Sequence, residues 1–178
     1  MRIRNFRQGD IPTLVHIQNL AAQEDSACLM SKSDFEEWLV RPELQAASNI
    51  FLITDDDDDL NKWSQGDVLD GLEGEVVGYT VLQFRRSHHA YHFLCEGAVL
   101  PQHRRRGAGQ ALLICALNHA RLRASEFEFE ARQQAIPVYF EALLPVKDSA
   151  SESLAAKFDM QSTDEPALKG MQLYSCEL

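Results

Sequence analysis

Residues 101–113 read PQHRRRGAGQALL: three arginines and two glycines directly before a hydrophobic run. Glycine permits tight backbone at a helix entrance. The first-turn N–H groups of a helix have no partner inside it, and they can converge on the oxygens of an anion. Arg104, Arg105 and Arg106 add positive field where the helix dipole is exposed, and the small residues leave room for a diphosphate. An ordinary solvated strand–helix turn accounts for one or two arginines, but poorly for three beside paired glycines. The segment has no GKS or GKT, so it is not a nucleotide-hydrolase loop. Gly107 and Gly109 supply only part of the dinucleotide GxGxxG pattern.

The second candidate is Glu96, a carboxylate in the apolar run AYHFLCEGAVL, where a charge needs a partner or a function. It can serve as a general base, or it can pair with Arg85 or Arg86. Cys95 adjoins it but faces the other side of a regular strand, which predicts core packing rather than a nucleophile. His88, His89 and His92 lack regular spacing to cysteine or aspartate, and no metal is expected. His103 can approach a phosphate or stay solvated. Asp55–Asp59 can attract a basic substrate or bind calcium weakly, but they lack the alternating ligands and turning glycine of a calcium loop. A solvated loop is the simpler reading. Trp38 and Trp63 can line an acceptor cleft, although Trp38 also suits helix packing.

These residues need a frame. Residues 3–7 alternate as a strand, and Asp10 with Pro12 opens an amphipathic helix through PTLVHIQNLAAQ. A second helix is predicted over 33–40, with Ser33 as its cap. Strands follow at 49–54, 76–84 and 90–100, the last two forming an antiparallel hairpin. Pro101 takes the chain out of the sheet. A helix from Gly107 continues through SEFEFEARQQ, although FEFE also alternates as a strand would. A strand at 137–145, a short helix SESLAAKF capped by Ser149 or Ser151, and a hairpin over about 160–175 close the chain. The pattern is a single α/β domain over residues 1–178, with an acidic inserted loop at about 55–70.

The 178 residues carry a net charge of −10, which argues against nucleic acid and acidic membranes and suits a cationic or amine-bearing partner. Cys28, Cys95, Cys115 and Cys176 lack paired spacing and read as reduced thiols. No apolar stretch reaches signal-peptide or membrane-spanning length, so a cytoplasmic protein is expected.

The run Val99-x-Pro101, then Arg104-x-x-Gly107-x-Gly109 and a helix, resembles the GNAT superfamily of coenzyme-A-dependent N-acyltransferases. GDIPTL resembles the family's N-terminal entry, EGEVVGYTVL the strand before the central one, and DSASESLAAKFDM its late helix motif, with Asp148 at the Asn position. The extended helix and late strand resemble the mycothiol-synthase-like branch, whose members often carry two domains; the length here suits one.

The resemblance implies a mixed sheet of six or seven strands flanked by helices. It implies acetyl-coenzyme A as cosubstrate, with its pyrophosphate on the turn from Arg104 through Arg105, Arg106, Gly107, Ala108 and Gly109 to Gln110, near Asp148. The backbone of Ala98, Val99 and Leu100 would hold the pantetheine arm where the sheet splays. Acetyl transfer to a small-molecule or peptide amine is then expected, with Glu96 as base and dimerisation through a sheet edge as a family-like possibility. Asp159 replaces the family's glycine, and Ala155 stands where many members carry a tyrosine acid. AIPVYFEAL can instead be registered as that helix, which would make Tyr139 the acid. A noncatalytic acyl-coenzyme-A sensor or partner-binding module is the competing reading.

Overall fold

The computed structural model describes residues 1–27, 31–55, 74–87, 89–165 and 167–178. Cys28, Asp56–Asp59, Trp63, His88 and most of the acidic insertion expected at 55–70 lie outside those residues.

Seven strands form one sheet: β1 (Arg2–Asn5), β2 (Ile50–Asp55), β3 (Glu75–Arg86), β4 (Tyr91–Val99), β5 (Val138–Pro145), β6 (Gln161–Ser162) and β7 (Met171–Glu177). Their order is β1-β2-β3-β4-β5-β7-β6. Every neighbouring pair is antiparallel except β4 and β5, which run parallel. A parallel neighbour requires a crossover, here α4 (Ala108–Ser125) and α5 (Glu128–Gln134). The helices α1 (Ile11–Asp25), α2 (Lys32–Leu39), α3 (Ala46–Asn49) and α6 (Ser151–Ala156) complete the described elements. The mixed sheet and the β3–β4 hairpin agree with the sequence reading.

Alternation along the strands divides the core between two faces. Val77, Tyr79 and Val81 of β3 join Ile50 and Leu52 of β2 with Leu14, Ile17, Phe35 and Leu39 of α1 and α2. On the opposite face, Leu82, Phe93, Cys95, Phe140 and Ala142 pack on Leu113, Ala116, Leu117 and Ala120 of α4. Cys95 is core, as its position in the strand predicts. Among the described residues no helix is long and apolar enough to cross a membrane.

Several local expectations change. Ser31, not Ser33, caps α2: its side chain accepts the Asp34 N–H. Asp10 precedes α1, but its carboxylate binds the Arg4 guanidinium at 2.7 and 2.8 Å and accepts the Arg7 N–H. The long helix from Gly107 stops at Ser125, because Phe127 turns into an aromatic cluster with Phe84, Tyr91 and Phe93, 5.1–6.1 Å between centroids. EFEARQQ then forms α5, so the helical reading of FEFE holds as a separate element. Neither expected serine caps α6; Ser151 Oγ donates to Pro145 O, and Asp148 Oδ1 accepts the Ala150 N–H. AIPVYFEAL lies on β5, which overturns its registration as a tyrosine-bearing helix.

Candidate active site

Strands β4 and β5 are paired from Tyr91–Val138 to Cys95–Ala142, and there the pairing stops. Both strands continue, β4 to Val99 still on β3 and β5 to Pro145 still on β7. The sheet therefore splays between them, leaving one side of β4 without a strand partner beyond Cys95.

The peptide groups that face this opening follow from alternation. Leu100 donates its N–H to Val77 O of β3, so residues of its parity turn their peptide groups towards β3. Ala98 and Leu100 thus point away from the opening, contrary to the expectation that they hold an extended arm. Gly97 and Val99 face it. The Val99 carbonyl is already taken by Arg104 Nε at 3.2 Å, which leaves the Val99 N–H and the peptide groups of Gly97. Gly97 escaped the sequence reading because a lone glycine in a strand is common. Its requirement is steric: an added Cβ would overlap Tyr79 O and sit 3.0 Å from Thr80 Cα.

At Leu100 the chain leaves the sheet through a short 3-10 turn, Pro101–His103, and enters α4. Arg105 (φ 64°) and Gly107 (φ 90°) adopt left-handed backbone, which coils the turn so that successive amides point outwards. The Arg104 N–H donates to Pro101 O and the Ala111 N–H to Gly107 O. Between them the N–H groups of Arg105, Arg106, Gly107, Ala108, Gly109 and Gln110 donate to no acceptor among the described residues. No Cβ contact crowds Gly107 or Gly109 within 4 Å. Six open amides at the entrance of an 18-residue helix form an anion cradle.

The arginines differ from the free cationic field that the sequence suggests. Arg104 makes a bidentate bond to Asp25 at the end of α1, at 2.6 and 2.8 Å, with little exposure of either side chain. Arg105 bonds Asp148 at 2.6 Å and Ser149. Arg106 lies 3.7 Å from Asp55, which also faces His103 at 3.3 Å. Carboxylates from three elements thus position the turn, and Asp148 belongs to that scaffold. Arg105 and Arg106 keep more than half of their side chains exposed at the cradle's edge. Gln110 also reaches outwards, accepting from Lys157.

Glu96 lies one residue past the last β4–β5 pair. It is in register with Val81, which places it on the α1–α2 face. Gln83 Nε2 donates to its Oε2 at 2.7 Å. Burial pushes its carboxyl above the ordinary range, against the opposing pull of Arg85 and the Gln83 bond. Of its expected arginine partners, Arg85 acts on it through charge, whereas Arg86 pairs with Glu130 and lies over the Tyr91 ring.

Tyr139 does not join this group. It pairs with His92, four residues before Glu96, or roughly 13 Å along the strand. His92 is bound to Glu141 at 2.7 Å, and its ring leans on Tyr139. Ala155 is fully buried against the α4 face. Among the described residues no group of three His, Cys, Asp or Glu side chains is placed to hold a metal.

A half-splayed mixed sheet with an anion cradle at the crossover entrance is the architecture of an acyltransferase that takes its acyl group from a phosphorylated carrier. The model of the acetyltransferase (GNAT) family matches residues 31–143, and the chain belongs to that family. The fold agrees. The yncA protein of Salmonella typhimurium, solved with its cofactor acetyl-CoA, superposes with a TM-score of 0.64 at 17% identity, over 99% of this chain and 93% of that one. A ribosomal-protein-alanine N-acetyltransferase from Brucella melitensis gives 0.63 at 18% identity over the whole of both chains. Ard1 from Thermoplasma volcanium gives 0.59 at 17% identity, over 99% and 97%. No curated protein matches the chain.

Proposed function

We propose that this acyltransferase moves the acetyl group of acetyl-coenzyme A directly onto the amine of a small-molecule or peptide acceptor. One observation carries the reading: six consecutive unpartnered amides, from Arg105 to Gln110, open beside the splayed ends of β4 and β5. A diphosphate supplies acceptors for those amides, and the exposed arms of Arg105 and Arg106 can meet further phosphate charge. The cosubstrate supplies an activated acetyl thioester. Gly97 and Val99 offer peptide groups along the opening, including N–H donors for a developing oxyanion.

Glu96 takes the proton that the acceptor nitrogen must lose. Its raised pKa makes it a stronger base than a solvated glutamate, and Gln83 fixes its carboxylate. Holding both reactants at the same strand ends supplies proximity. The negative charge at Glu96 and over the whole chain favours a cationic acceptor. A covalent route through Cys95 is disfavoured: burial pushes its thiol up to about 12, and it lies on the α4 face, away from Glu96.

The test is calorimetric titration with acetyl-coenzyme A, followed by thiol release against a panel of polyamines, amino acids and peptide N-termini. Micromolar binding and acceptor-dependent release are expected. Binding without turnover on any amine would favour the sensor reading, and no binding would end both.

A further inference from the structure

Thioester aminolysis has two proton problems: the nitrogen must lose one, and the leaving sulfur must gain one. Glu96 addresses the first. The position where many relatives carry a tyrosine acid holds Ala155, buried against α4, and Tyr139 is at the far end of β5.

The other three tyrosines can be placed. Tyr91 lies beneath Arg86 among Phe84 and Phe127, at the closed end of the β4–β5 pair. Tyr174 packs against the α4-side core. Tyr79 is different. It pairs with Ala98, in the rows where β4 has lost β5, and shares the α1–α2 face with Glu96. On that face the rows from Glu96 to Val99 present Val81 and Tyr79 from β3, Glu96 and Ala98 from β4, and Leu143 from β5. Glu96 and Tyr79 are the two ionisable side chains in that set. Ala98 has only a methyl group and Gly97 no side chain, so nothing on β4 separates the phenol from the opening. Phe35 of α2 backs the ring, 6.0 Å between centroids. The hydroxyl has no hydrogen-bond partner among the described residues, although the residue is 5% exposed.

From this placement we propose that Tyr79 is the acid of the reaction, donating its phenolic proton to the departing coenzyme sulfur. This rests on the acetyl-transfer reading above. The C–N bond forms as nitrogen attacks the carbonyl carbon, and Glu96 takes the nitrogen's proton. The C–S bond then breaks, its electron pair stays on sulfur, and sulfur receives the Tyr79 proton. Glu96 returns its proton to the neighbouring tyrosinate. Both side chains are restored, and the products are an amide and a free thiol. Burial and the Glu96 charge both raise the phenol's pKa, so Tyr79 stays protonated across the neutral range.

Tyr79→Phe removes one oxygen and keeps the ring against Phe35. A drop of about 100-fold in kcat is expected, with unchanged affinity for acetyl-coenzyme A and an unchanged melting temperature. A second readout needs no acceptor. The thiol of bound coenzyme A, followed by its thiolate ultraviolet absorbance, should titrate at higher pH in Tyr79→Phe than in the wild type. A variant with wild-type kcat and the same bound-thiol titration would overturn Tyr79 while leaving acetyl transfer intact. Failure of the wild type to bind coenzyme A would remove both.

Discussion

Asp25→Asn tests whether a single carboxylate on α1 holds the anion cradle in place. In the wild type Arg104 gives two hydrogen bonds to Asp25 and a third to Val99 O, tying α1, the end of β4 and the turn together. The variant keeps the shape and one acceptor oxygen but leaves the guanidinium without its counter-charge. Breaking a fully buried pair costs roughly 3–5 kcal/mol. Arg104 keeps some solvent contact, with 18% of its side chain exposed, so about 2–3 kcal/mol is the better figure here. For a chain of this size that lowers the melting temperature by about 4–12 °C. Affinity should also fall, because a turn that is no longer anchored must be ordered on binding. Fixing one residue costs about 1–2 kcal/mol, which is about tenfold in Kd. Urea unfolding and calorimetry with coenzyme A measure the two effects. A variant within 0.5 kcal/mol of wild type that binds coenzyme A equally well would refute the anchoring role.

Glu96→Gln should lower kcat by about 100-fold or more, yet stabilise the fold at neutral pH. The sign follows from its raised pKa: the group's contribution is most favourable below its unfolded pKa and is lost as pH rises through the folded value. The gain in melting temperature should be present at pH 7 and vanish near about pH 4; a variant less stable than wild type at pH 7 would contradict this. Gly97→Ala forces a methyl into the β3 backbone and should cost about 1–3 kcal/mol in urea unfolding. A neutral result there would show that β4 does not approach β3 as closely as described.

The sequence made the sheet and the crossover legible because alternation in NIFLIT and VVGYTVLQF, and the periodicity after Gly107, reflect burial against one layer. Turn chemistry was visible for the same local reason: Gly107 is left-handed, as its type suggests. Arg105 shares that conformation without any compositional sign. The partners Asp25, Asp55 and Asp148 were hidden because each comes from another element, and three consecutive arginines look free until the chain is folded. Which β4 peptides face the opening depended on hydrogen-bond parity, and this moved the contact positions from Ala98 and Leu100 to Gly97 and Val99. Tyr79 carried no motif; only its register beside Ala98 and Glu96 brings it to the site. Helix boundaries failed where a tertiary contact decided them, as when Phe127 turns inwards and ends α4.

The reading rests on backbone amides, and they can be observed one by one. In an amide-resolved NMR titration with coenzyme A, the N–H resonances of residues 105–110 should move downfield together and gain protection from exchange. Saturation by coenzyme A with those six amides unmoved, and shifts confined to another part of the molecule, would contradict it.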